Sequence, residues 1–207
     1  MISLHVHSRA ANDAMPVSVP IVISARHVHL TREVIEQLFC DHYQLHESRH
    51  LAQAEQFQAQ ETVTLIGPCG RIRDVRIVGP ARSLNQIEIS RTDAALLGIR
   101  APIRATGDLI GTPGITIQGP KSQVHLGTGV ICAHRHIHMS PEDAERLGLK
   151  DRDRVSAATE GANRDLLFRD VLVRVSPGDK LELHLDLDEA NAAGVREGDY
   201  AVLTLHD

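Results

Sequence analysis

Arg26-His27-Val28-His29-Leu30-Thr31-Arg32-Glu33 and Arg135-His136-Ile137-His138-Met139-Ser140-Pro141-Glu142 align without a gap, and the likeness continues to Glu36/Glu145 and Leu38/Leu147. Each stretch carries a His-x-His pair. Strand side chains alternate between faces, so His27 shares a face with His29, and His136 with His138. Thr31 and Ser140, two residues beyond each pair, are helix N-cap types. A second unit recurs as Asp93-Ala94-x-x-Leu97-Gly98-Ile99, as Asp143-Ala144-x-x-Leu147-Gly148-Leu149 and as Glu189-Ala190-x-x-Ala193-Gly194-Val195. Each copy reads as a two-turn helix closed by a C-terminal glycine. Acidic residues three places after Ser90, Ser140 and Asp186 resemble capping boxes. The start at Thr31 is weaker, because Val34 holds the third helical position.

Outward from these units, short β-rich runs cover 19–24, 62–66, 75–78, 86–89, 115–118, 129–133, 166–175 and 200–205. Glycine and proline punctuate them at Gly67-Pro68, Gly79-Pro80, Gly111 to Gly114 and Gly119-Pro120. Short strands with few long helices predict a mainly β protein of two related small β-barrel domains rather than a doubly wound sheet. The expected boundaries are a tail over residues 1–19, a first barrel over 20–126 and a second over 127–207. The active site is expected between them.

Composition excludes several classes. The 207 residues, 42% apolar and 24% charged, describe an ordinary globular chain with room for real cores. No apolar run is long enough to span a bilayer, and the N-terminus lacks a secretory pattern, so a soluble, cytoplasmic protein is expected. A net charge of −5, no Trp, two Tyr and three Phe argue against nucleic-acid binding. Cys40, Cys69 and Cys132 are odd in number and widely spaced, as suits a reducing compartment.

Counting back two residues from each predicted N-cap locates the chemistry. Thr31 leads to His29, Ser90 to Glu88, Ser140 to His138 and Asp186 to His184, and every one is a metal-ligand type. With His27 and His136 added by strand alternation, two three-ligand sets follow: His27, His29 and Glu88, then His136, His138 and His184. Three protein ligands with an open position is the pattern of catalytic zinc. The set containing a carboxylate is the harder one and is expected to hold its metal more loosely. Arg82, after Gly79-Pro80-Ala81, offers a planar fork for an anionic substrate. The remaining histidines read as incidental: His5 and His7 in the tail without a following cap, and His42, His46 and His50 in a polar stretch. His134 shares the face of His136 and is an accessory candidate at most. Cys132 has the right strand phase, but its apolar neighbours make it a core residue. Phosphate-loop, dinucleotide and serine-hydrolase motifs are missing.

Five motifs, in order, resemble the PduL-type phosphate propanoyltransferases: Arg26 to Leu30, Gly79-Pro80-Ala81-Arg82, Glu88-Ile89-Ser90-Arg91-Thr92-Asp93, Arg135 to Met139, and His184-Leu185-Asp186-x-Asp188-Glu189-Ala190-Asn191. The likeness runs from about Val19 to Leu205. It implies two β-barrel domains, two zinc ions per chain, and acyl exchange between coenzyme A and phosphate. On the same likeness, His27, His29, Glu88, His136, His138 and His184 are metal ligands and Arg82 meets phosphate. A homodimer is the expected assembly. Many relatives work beside other enzymes in a bacterial microcompartment, but residues 1–19 lack the amphipathic pattern of a targeting helix. His134 also departs from the family pattern, where a small or uncharged residue is expected.

The chemistry suggests direct transfer, with phosphate attacking the thioester carbonyl and no Ser or Cys nucleophile needed. Two rival readings are a cupin-like metal oxygenase or isomerase, from His136-x-His138-x-x-x-Glu142, and a non-catalytic metal-binding protein. A cupin would need that segment to stay a strand, whereas Ser140-Pro141 starts a helix.

Overall fold

The computed structural model describes residues 16–53, 55–160 and 164–204. The first part of the chain forms β1 (Val17–Ser24), β2 (His27–His29), α1 (Arg32–Leu38), β3 (Glu47–His50), β4 (Phe57–Ile66), β5 (Arg71–Gly79) and β6 (Gln86–Glu88). There follow α2 (Arg91–Leu97), β7 (Ile103–Arg104), β8 (Ile115–Gln118), β9 (Gln123–Leu126), β10 (Val130–Ala133) and β11 (His136–Met139). The chain ends with α3 (Pro141–Leu147), β12 (Arg154–Thr159), β13 (Leu167–Val175), β14 (Glu182–Asp186), α4 (Leu187–Ala193) and β15 (Tyr200–Thr204).

The protein is mainly β, as expected, and the four short helices start at the four anticipated caps. Thr31, Ser90, Ser140 and Asp186 each accept from the backbone N–H three residues on. Ser90 with Asp93, and Asp186 with Glu189, complete reciprocal capping boxes. The Thr31 bond is long, 3.4 Å, and Val34 returns none. Helices α2, α3 and α4 end on left-handed Gly98, Gly148 and Gly194, whereas α1 ends on right-handed Phe39.

Strands β1-β14-β11-β13-β12-β15 form a closed barrel, sealed by antiparallel pairing of β1 with β15. The other unit is a nine-stranded sheet ordered β7-β10-β6-β2-β5-β4-β8-β9, with β3 on β4. Among the described residues no pairing joins its β7 and β9 ends, so it stays open. The two units share a local plan. β2 lies between β5, parallel, and β6, antiparallel; β11 lies likewise between β13 and β14. Val28 and Ile137, each between two histidines, are fully buried in the cores of the sheet and the barrel respectively.

Strand pairing crosses the expected domain boundaries. Strand β1, which precedes the first His-x-His, belongs to the barrel and runs parallel to β14 with Val22 opposite His184. Strand β10, which precedes the second, belongs to the sheet and runs parallel to β6 with Ile131 opposite Glu88. The units have exchanged equivalent strands, so a cut near Gly127 separates neither. Of the expected tail, residues 1–15 lie outside the described residues, while 17–19 are part of β1 and Val19 is fully buried.

Two of the helix-ending glycines separate backbone strain from crowding. A Cβ on Gly148 would meet nothing within 4 Å, but one on Gly98 would lie 2.4 Å from Cys69 Sγ and 2.8 Å from its Cβ. Gly148→Ala is therefore expected to cost about 1–2 kcal/mol, the left-handed penalty alone. Gly98→Ala should cost clearly more. Denaturant unfolding of the two variants checks this, and equal losses would refute it.

Candidate active site

Adjacent-strand register builds both histidine sets. In the barrel, His136 pairs with His184 across β11 and β14; in the sheet, His27 pairs with Glu88 across β2 and β6. Alternation adds His138 and His29 on the same faces. The result is two triads, His136/His138/His184 and His27/His29/Glu88, whose donor atoms lie within 4.8 Å of one another in each set. All six residues are buried except His27, which is half-buried.

The backbone fixes which nitrogens face inward. His136 Nδ1 donates to the His134 carbonyl at 2.8 Å, and His27 Nδ1 to the equivalent Ala25 carbonyl at 2.9 Å. His29 Nδ1 donates to the Val78 carbonyl at 3.2 Å, and His138 Nδ1 to Asp179 Oδ2 at 2.6 Å. His184 Nδ1 meets Ser24 Oγ at 3.1 Å. With Nδ1 carrying the proton, the Nε2 lone pairs of His136 and His138 face each other at 3.2 Å. Two bare lone pairs that close repel unless a cation lies between them. Outward ties on Nδ1 with Nε2 converging is the arrangement that orients metal-binding histidines. Gln53 Nε2 donates to His184 Nε2 at 3.0 Å.

The arginines that open the two repeats serve the frame. Arg26 Nε bonds Asp93 Oδ2 and Arg135 Nη1 bonds Glu189 Oε1, both at 2.9 Å. Each ties the start of a His-x-His strand to the third residue of the helix beside it.

Both triads line one cavity of about 200 Å³, together with Arg82. Arg82 follows β5, donates its backbone N–H to the Leu30 carbonyl at 2.9 Å and its Nη2 to Gln56 Oε1 at 2.8 Å. Burial pushes the guanidinium below its usual value, and the Glu88 carboxylate pulls the other way. Burial alone would raise the Glu88 carboxyl, but the charges of His27, His136, Arg174 and Arg82 hold it below the usual carboxylate range. Glu88 Oε1 also accepts from Gln86 Nε2 at 2.5 Å and from Thr106 Oγ1 at 3.3 Å.

The cavity also holds residues that sequence reasoning did not single out: Gln53, Gln56 and Arg174. Asp179, behind His138, was missed as well. None belongs to a repeated unit, so no spacing signal marked them. His134 is spent elsewhere, its Nε2 on Asp170 Oδ2 at 3.1 Å and its Nδ1 on the Arg135 carbonyl at 2.9 Å. His42, His46 and His50 are exposed, and Cys132 is buried in the core of the sheet. His5 and His7 lie outside the described residues. Glu142, required by a cupin ligand set, is exposed in the first turn of α3 and is not among the gathered donors.

A family model described as phosphate propanoyltransferase matches residues 20–196. The phosphate propanoyltransferase of Thermotoga maritima is 52% identical over 177 residues, which cover 86% of this chain and 84% of that protein. That of Salmonella typhimurium is 51% identical over 176 residues, covering 85% and 83%. This chain belongs to the phosphate propanoyltransferase family. It is accordingly a transferase, and a phosphate acyltransferase rather than a cupin or a passive metal carrier. No helix among the described residues is long and apolar enough to cross a membrane.

Burial of neutral imidazoles gives a pH signature. Burial first, then the His184 and Arg174 charges, bring His138 down to about 3; burial, His27 and Arg82 bring His29 to about 2. In the unfolded chain these groups return to about 6.5, so below that pH the unfolded state binds protons that the folded state refuses. Stability supplied by the neutral rings is full above about 6.5 and drains as pH falls toward 3. The thermal midpoint of metal-stripped protein is expected to fall across that window. A midpoint independent of pH between 7 and 4 would contradict the burial of these rings.

Proposed function

We propose that this protein exchanges a short acyl group, propanoyl or acetyl, between coenzyme A and inorganic phosphate, using two zinc ions held by the two triads. The observation that carries the reading is the convergence of both donor sets and Arg82 on one cavity, in a chain about half identical to named phosphate propanoyltransferases. The donors fit zinc. Three inward imidazoles, or two with a carboxylate, match open catalytic zinc sites, and the close Nε2 pair of His136 and His138 needs a shared cation.

In the forward direction a phosphate oxygen bonds to the thioester carbonyl carbon, the carbon–sulfur bond breaks, and its electron pair leaves on the coenzyme A sulfur. Zinc, when bound, supplies Lewis acidity that polarises oxygen and stabilises developing negative charge. The protein's own groups do the rest. Arg82, held by Gln56, grips phosphate with a pre-set fork of donors and offsets its charge. Glu88 and His27 share an edge of the cavity, with His27 Nε2 3.6 Å from Glu88 Oε2. Enclosure between barrel and sheet keeps the acyl group close to phosphate and limits competition from water.

Thiol release from propanoyl-CoA that depends on added phosphate tests the activity directly. Its absence in metal-loaded protein would sink the reading. Purified active protein is expected to contain up to two zinc ions per chain by elemental analysis. Chelation should abolish thiol release and zinc should restore it; activity surviving complete metal removal would overturn the zinc assignment.

Arg82→Lys keeps a charge but loses the paired planar donors. It is expected to raise the Michaelis constant for phosphate if the fork acts equally in ground and transition states, or to lower turnover if it acts mainly in the transition state. A merely solvated arginine would change stability by less than about 0.5 kcal/mol and leave kinetics alone. Unchanged kinetics at full metal content would remove Arg82 from the site.

A further inference from the structure

Arg174 is a cation in the cavity that nothing in the fold uses. It lies on β13, opposite His138 in the parallel register with β11, and lines the same cavity as both triads and Arg82. Of the other arginines lining the cavity, Arg26 bonds Asp93, Arg76 the Gln60 carbonyl and Arg82 Gln56, while Arg49 lies on the exposed strand β3. Among the described residues the Arg174 side chain makes no hydrogen bond or ion pair. Its charge is nevertheless felt across the site, by Arg82 and Glu88 from the sheet and by His136 and His138 from the barrel. The two guanidiniums therefore enter one small cavity from opposite units, and they repel.

We infer that Arg174 is a second phosphate-holding residue, gripping the anion from the barrel side while Arg82 grips it from the sheet side. The inference rests on the acyl-transfer reading for the identity of the anion. An anion between two like charges removes their repulsion, and phosphate has more acceptor oxygens than one guanidinium fork can satisfy. The phosphates of coenzyme A are the less suitable ligand. They lie a pantetheine's length from the thioester sulfur, whereas Arg174 sits alongside His138, one of the inward donors. A clamp made by one arginine from each unit would also align the attacking oxygen, which fixes orientation as well as charge.

The test uses metal-loaded Arg174→Met and Arg174→Lys, each checked for wild-type zinc content and circular dichroism. Two readouts are taken: steady-state kinetics in phosphate and in propanoyl-CoA, and the rise in thermal midpoint caused by inorganic phosphate alone. Arg174→Met is expected to raise the Michaelis constant for phosphate about tenfold or more, the scale of a lost charge-assisted bond, with that for propanoyl-CoA within about twofold. The phosphate-induced rise in midpoint should largely disappear. Arg174→Lys should fall between Arg174→Met and wild type, and it carries the test alone if the methionine variant does not fold. Unchanged phosphate constants, or a loss confined to propanoyl-CoA, would overturn the assignment. The acyl-transfer reading fails separately. Wild-type protein that is stabilised by phosphate through Arg174 yet releases no thiol would refute acyl transfer and leave the phosphate clamp standing.

Discussion

Parallel pairing of β1 with β14 and of β10 with β6 is the constraint on which the rest of the molecule depends. Each strand leads directly into a His-x-His strand of the other unit. The chain therefore crosses between barrel and sheet twice, at Ala25-Arg26 and at His134-Arg135. Those crossings put the carbonyls of Ala25 and His134 where they accept from His27 and His136, and bring Ser24 onto His184. Unpairing either strand would remove a wall from one unit and an orienting group from the site of the other. The two cores are correspondingly mixed in sequence: Val19 and Ile21 pack in the barrel, while Val130 and Cys132 pack in the sheet.

The cavity gathers both donor sets with cationic side chains. Six possible ligands, Arg82 and Arg174 share a small space in which Glu88 is the only carboxylate of the two triads. Burial keeps His29, His136 and His138 neutral, so they offer lone pairs rather than charge, and the arginines remain as the fixed positive groups. Such a cavity favours an anionic ligand and supports negative charge developing on it. The two triads are not equivalent. His138 is oriented by the Asp179 carboxylate, whereas its counterpart His29 is oriented only by the Val78 carbonyl. With a carboxylate among the ligands of one set and behind the other, the repeats present different donors to a bound ion.

The chain's helix starts, glycine stops and gathered donors were legible because each is written within a few residues. Ser90 to Asp93 is a capping box whatever surrounds it, and His27 and His29 share a face in any strand. Other features lacked a local mark. Strand β12 reads Arg-Val-Ser-Ala-Ala-Thr, with a Ser-Ala-Ala centre of little strand preference, and β3, β7 and β9 are short and largely exposed at the margins of the sheet. Gln53 and Gln56 lie in the connection after β3, where nothing in composition separates them from the glutamines around them.

By itself the sequence determined the mainly β character, the four helix caps and the identity of the six gathered donors, because repetition and short-range periodicity specify them. The tertiary structure alone decided that the units exchange β1 and β10, that one closes into a barrel while the other stays open, and that Arg174 of the barrel and Arg82 of the sheet line one cavity. Those outcomes are matters of strand pairing and register between segments distant in the chain. A register is selected by burying one whole face of a strand against partners from elsewhere, and that energy is not carried by any stretch of sequence alone.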